Sequence, residues 1–106
     1  AENGKLTITA LAGDDALVVN DSAEAEAFKI NDSGKVSSNN QMMVGGNEFT
    51  TGVLFELRST TQGFLPPRVT ATQRAAFESV VGMLVYQTDG TEGLYMYKSG
   101  GWELIG

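Results

Sequence analysis

The alternation of apolar and polar residues predicts a chain built mainly of strands. Lys5–Leu11 places Leu6, Ile8 and Ala10 on one face, the pattern of a half-buried strand. Gly13-Asp14-Asp15 reads as a turn, Ala16–Asn20 as a second strand and Asp21-Ser22 as a turn or bend. Ala27–Asn31 is a third strand with Phe28 and Ile30 inward, and Asp32–Lys35 carries strong turn chemistry. These strands share a period of 11 residues: Leu6, Leu17 and Phe28 hold one phase, and Ile8, Val19 and Ile30 another. Val19–Ser22 also returns as Ile30–Ser33. A β-meander, a solenoid or a winding fibre unit has such a repeat, and so do three ordinary strands of accidentally equal spacing.

Ser37–Gln41 is polar and reads as a loop, and Met42–Val44 is a short apolar piece closed by Gly45-Gly46. Phe49–Arg58 is the longest strand candidate, with Val53, Phe55 and Leu57 as its inner set. Leu54 lies on the other face with Glu56 and Arg58, which suits a strand covered on both sides by a partner subunit or a neighbouring loop.

Ser59–Arg74 divides the chain. Phe64 and Leu65 form an apolar pair that needs burial, and Pro66-Pro67 fixes φ and removes two backbone donors. Thr70-Ala71-Thr72-Gln73 fits a capping box, so the helix is predicted from Ala71 to about Ser79. Beyond it, Gly82–Thr88, Leu94–Lys98 and Trp102–Ile105 alternate as three strands joined by the loops Asp89–Gly93 and Ser99–Gly101. The organisation is therefore a repeat-like β arm over residues 1–58, a Gly/Pro linker over 59–70, and a C-terminal domain over 71–106. That last domain is a three-stranded antiparallel meander with one short helix.

Composition narrows the function classes. The chain of 106 residues has 13 glycines, no cysteine and no histidine. Disulfide and thiolate chemistry are excluded, and so are the commonest general base and metal ligand. The net charge is -6, with most of the acidity before residue 51, which argues against a nucleic-acid partner. No apolar run approaches the roughly 18 residues of a membrane-spanning helix. Asp14, Asp15, Asp21 and Asp32 are the carboxylates that a glycan-cleaving or calcium site would need, but all four fall in predicted turns, where Asp is common for backbone reasons. No catalytic residue, metal ligand or cofactor is assigned. Tyr95, Tyr97 and Trp102 form an aromatic cluster that either stacks on sugars as a ligand-binding patch or makes the half-buried core of the small sheet.

The words STTQGFLPPR, T-x-x-Q-R, G-x-L-V-Y-x-T-D, L-Y-x-Y and G-W-x-x-I, together with the V-N and F-x-I-N-x-x-G-x-V pattern of Leu17–Val36, carry a resemblance. They resemble a recurrent segment of bacteriophage tail-fibre and related virion surface proteins. The resemblance spans most of the chain, its linker word being specific and its β-repeat not. It implies a fibrous, β-rich, usually trimeric structural protein on a phage particle, in a tail or head appendage, and it does not imply a reaction. Other virion proteins are the expected partners, and host surface glycan is a partner where the aromatic cluster Tyr95, Tyr97 and Trp102 serves as a binding tip.

Intertwined chains would bury Leu6, Ile8, Leu17, Val19, Phe28 and Ile30 together, each worth roughly 1.5–3 kcal/mol when fully covered. With Val53, Phe55, Leu57, Phe64 and Leu65 they form the candidate interface of a homotrimer. The leading reading is a non-enzymatic fibre or spike component that aids assembly or host attachment. A carbohydrate-binding adhesin tip using Tyr95, Tyr97 and Trp102 is the alternative, and a small capsid-decoration protein a second one.

Overall fold

The computed structural model describes residues 4–106. The chain divides into two compact units, the first closing at Thr60 and the second spanning Thr61–Gly106. Strand dominates, with one short helix.

In the first unit, β1 (Leu17–Asn20), β2 (Glu26–Ile30) and β3 (Val36–Ser38) form an antiparallel sheet in that order. Leu17 pairs with Ile30 and Val19 with Phe28, so the two phases of the 11-residue repeat face each other across the hairpin. Ile30 pairs with Val36, which joins the same face. The other face carries Val18 opposite Lys29, and the Lys29 ammonium sits 3.3 Å from Glu26 and 3.7 Å from Asp15.

The two turns of this sheet share one construction. Asp21 Oδ1 accepts from the amides of Ala23 and Ala25, and Asn31 Oδ1 accepts from those of Ser33 and Lys35. In both turns the fourth residue has positive φ: Glu24 at 62° and Gly34 at 77°. These are three-residue hairpin loops whose last residue takes the left-handed conformation.

Lys5–Leu11 carries no strand, although its alternation predicts one. Alternation marks a face that favours burial, but a strand also needs a hydrogen-bonded neighbour. Among the described residues its anchoring comes at its end and just beyond: the Leu11 carbonyl accepts from Asp14 N, and Asp32 Oδ2 accepts from Gly13 N at 2.6 Å.

β4 (Met42–Val44) and β5 (Phe55–Leu57) form a separate parallel pair. The long strand expected over Phe49–Arg58 is therefore reduced to three residues. The preceding residues are used as the crossover that parallel pairing demands. Gln41 Nε2 holds that crossover by donating to the carbonyls of Thr50 and Val53. Arg58 closes it from the other side, donating to the Glu48 carbonyl at 3.0 Å. Gly45 (φ 94°) lies so close to the Arg58 carbonyl that a Cβ there would overlap it.

In the second unit, β6 (Arg68–Val69), β7 (Leu84–Gln87), β8 (Gly93–Lys98) and β9 (Gly101–Leu104) form one sheet in chain order. β7–β9 are the expected antiparallel meander. The sheet gains a parallel edge strand from the linker, because Tyr86 N donates to Pro67 O and Thr88 N to Val69 O, each at 2.8 Å. An edge position tolerates the two prolines that precede it.

Helix α1 runs Ala71–Ala75, shorter than the stretch expected to reach Ser79. Its capping box is complete: Gln73 N donates to Thr70 Oγ1 at 3.2 Å and Thr70 N to Gln73 Oε1 at 2.8 Å. Asp89 Oδ1 accepts from Ala71 N at 2.7 Å, placing a carboxylate at the positive end of the helix. The C-terminal end tightens as Ala76 N bonds to Gln73 O and Phe77 N to Arg74 O. Phe77 then turns its ring onto Trp102, with centroids 6.3 Å apart. Tertiary packing ends the helix early.

Candidate assembly surfaces

The second unit has a small core that uses the predicted aromatic cluster. Val85 and Tyr95 are its buried apolar residues, and Gln87 is buried beside them. Gln87 Nε2 donates to the carbonyls of Asp89 and Thr91. Gln87 Oε1 accepts from Arg74 Nε at 2.7 Å. The Arg74 guanidinium then lies over Tyr95 and, at 5.6 Å, over Trp102. Tyr95 Oη donates to Thr91 O at 2.6 Å, and Trp102 Nε1 donates to Ser79 Oγ at 3.2 Å. Tyr97 meets Trp102 edge to face at 5.3 Å.

Tyr95, Tyr97 and Trp102 are thus brought together on the helix-facing side of the sheet, Tyr95 buried and the other two half-buried. Arg74 and Gln87 were invisible to sequence reasoning as members of this cluster. Their only signal was a position: an arginine directly after a capping glutamine, and a polar residue on the inward phase of β7.

The opposite face of the same sheet carries Leu84 opposite Met96 and Tyr86 opposite Leu94. Leu84 is exposed and the other three are half-buried. Tyr86 Oη donates to Glu92 at 2.7 Å, and this bond raises the Tyr86 phenol above its usual value. A Lys98–Glu103 pair at 2.8 Å ends the apolar strip.

The predicted interface residues fall into several places. Leu6 and Ile8 are exposed outside any strand. Leu17, Val19, Phe28 and Ile30 share one face of the β1–β2–β3 sheet, of which Val19 is exposed and the others half-buried. Val53 is half-buried in the crossover. Phe55 and Leu57 are exposed on β5, and Phe64 and Leu65 are exposed in the second unit. The parallel register adds two residues that sequence reasoning did not select: Met42 stands opposite Phe55, and Val44 opposite Leu57.

The acidic candidates are spread through the first unit. Asp21 and Asp32 accept backbone amides, and Asp15 faces Lys29. Among the described residues no group of three or more His, Cys, Asp or Glu side chains could hold a metal ion. What the described surface does offer is apolar area. Nineteen large hydrophobic side chains are exposed, against two apolar residues buried. Such a ratio marks surfaces that another chain covers.

A family model described as "phage tail like trimerisation region" matches residues 36–106. No curated protein and no solved structure matches the chain.

Proposed function

The chain belongs to the phage tail like trimerisation region family, and on that premise we propose that it holds three copies of itself in register within a fibre or spike on the surface of a phage particle. It is a β-rich, homotrimeric structural component of a phage tail-like fibre. The role proposed for it is assembly rather than catalysis, with other virion proteins as its neighbours and host attachment as the purpose of the appendage.

One observation carries this reading. The chain exposes nineteen large apolar side chains in the described residues, most of them outside the small core of the second unit. At about 25 cal/mol per Å2, leaving such an area in water would forfeit many kcal/mol that association recovers.

Light scattering behind a sizing column tests the assembly. Three chains of 11.3 kDa should travel as one species of about 34 kDa at all practical concentrations. A species of monomer mass would overturn the reading. Antibody labelling of intact particles in the electron microscope tests the location, and labelled appendages are the expected result. Competition with particle adsorption tests attachment. Added trimer should slow adsorption if the surface that meets the host lies in this chain.

A further inference from the structure

The β4–β5 pair is the least self-sufficient part of the first unit. Short parallel strands normally sit inside a larger sheet that is covered on both faces. Here two three-residue strands stand alone. Their register places Met42, Val44, Phe55 and Leu57 on one face. Their exposures are 38%, 57%, 55% and 43%, in that order. The other face carries Met43 and Glu56, both half-buried. Arg58 Nε holds Glu56 at 2.9 Å, and Arg58 also binds the crossover backbone at Glu48. The polar face is thus tied down from within the chain through Glu56 Oε2 and Arg58, while the apolar face is open.

We propose that this face is where the three copies of the chain meet, with Met42, Val44, Phe55 and Leu57 of each copy packed against their counterparts around the three-fold axis. The inference rests on the homotrimer reading above and assigns its contact residues.

Three arguments select further copies of this chain as the occupant. The trimerisation match runs from residue 36 to 106, so it contains both strands and all four residues. The apolar face of the β1–β2 hairpin lies outside that match. Second, three-fold symmetry brings like residues together, and the ladder sorts the four into two layers, Met42 with Phe55 and Val44 with Leu57. Such layers stack about 7 Å apart along the strands. Because β4 and β5 run the same way, all strands of three symmetric copies run the same way round the axis. Third, none of the four side chains is charged or polar, so their self-association desolvates no charge and leaves no polar side-chain group unpaired.

The chain contains no cysteine, so single-cysteine variants of the full chain report without background. The mass of the unmodified chain is measured first. Mild oxidation of Val44→Cys and of Phe55→Cys should then join two chains of each trimer by a disulfide. The yield should be at least about ten-fold above that of Ser33→Cys in a hairpin turn, since a disulfide forms only between closely approached Cβ atoms. In parallel, the double variant Val44→Lys/Leu57→Lys should shift the mass from trimer to monomer while Trp102 emission, which reports on the second unit, stays unchanged. A trimeric wild type whose cysteine variants cross-link no better than Ser33→Cys overturns this inference alone. Retention of trimer mass by the lysine variant does the same. A monomeric wild type overturns the homotrimer reading, and the contact assignment with it.

Discussion

The guanidinium carbon of Arg74 lies 4.5 Å from the centroid of the Tyr95 ring. The same side chain donates from Nε to the buried Gln87 amide at 2.7 Å. One residue of a five-residue helix therefore ties that helix to the core of the sheet through a cation–π contact and a hydrogen bond. Arg74→Leu keeps much of the apolar packing but leaves Gln87 Oε1 without its donor. The expected loss is about 1–3 kcal/mol, the cost of an unsatisfied buried acceptor. Arg74→Lys should recover only part of it, because an ammonium cannot stack on the ring as a planar guanidinium does. Urea unfolding followed by Trp102 fluorescence checks both variants. Equal stability of Arg74→Leu and wild type would show that the cluster contributes nothing.

The capping box is the second separable contribution to that helix. Thr70→Ala removes the acceptor for Gln73 N, and Gln73→Ala removes the acceptor for Thr70 N. Each is expected to lower stability by about 1 kcal/mol. The double variant should cost less than the sum of the two, since one motif is being broken twice. The same unfolding assay, run on all three variants, measures this coupling.

These elements differ in how far the sequence reveals them. The capping box, the hairpin over Leu17–Ile30 and the β7–β9 meander were legible because their signals are local: cap chemistry, alternation and turn residues. Lys5–Leu11 alternates more cleanly than β1 (Leu17-Val18-Val19-Asn20) does, yet forms no strand, because alternation names a face and not a pairing partner. Of the four residues on the β4–β5 face, Phe55 and Leu57 came from strand alternation. Met42 and Val44 sit in a piece too short to show a period, and only the parallel register places them beside the other two. Arg74 reads as an ordinary surface arginine until the sheet supplies Gln87 and Tyr95 from residues far along the chain.

The twin hairpin turns make a built-in comparison. Both put their fourth residue in the left-handed region, but one uses Gly34 and the other Glu24. A residue with a Cβ is strained there by roughly 1–2 kcal/mol, partly offset by the greater chain entropy of glycine. Glu24→Gly should therefore raise stability by about 0.5–1 kcal/mol. Gly34→Ala should lower it by a similar amount. Thermal unfolding of the two variants by circular dichroism reads the opposite signs. A destabilised Glu24→Gly would mean that the glutamate side chain has a compensating role.

Glu56 sets an acid-side dependence. Hydrogen bonding from Thr50, then from Arg58, holds its carboxyl below the usual value of 4.5. A folded-state pKa below the unfolded one contributes stability that is present above the unfolded value. That contribution fades as pH falls through the folded value. The window is therefore the region at and below pH 4.5. Glu56→Gln should flatten this part of the profile relative to wild type, measured by urea midpoints from about pH 6 down to about pH 3. Tyr86, raised above 10 by Glu92, acts only at the alkaline end and does not overlap it. An acid limb of unchanged slope in Glu56→Gln would assign the dependence to other carboxylates.

Among the glycines of the first unit, Gly45 leaves the least room for a side chain. It follows β4 directly, has φ at 94°, and its missing side chain makes room for the Arg58 carbonyl of the neighbouring chain segment. Arg58 N also donates to Val44 O at 2.9 Å, so the two segments cannot separate without breaking the end of the parallel ladder. Gly45→Ala meets both obstacles, strained φ and backbone overlap, and is expected to cost about 2–4 kcal/mol. Gly100→Ala is the matched control: it has no positive φ and nothing within 4 Å of the added Cβ, so its effect should stay within about 0.5 kcal/mol. If β4–β5 forms the three-fold contact, Gly45→Ala should also weaken the trimer while Gly100→Ala leaves it intact. Light scattering across a dilution series distinguishes the two. A Gly45→Ala chain that is destabilised yet stays trimeric on dilution would mean that the trimer is held elsewhere.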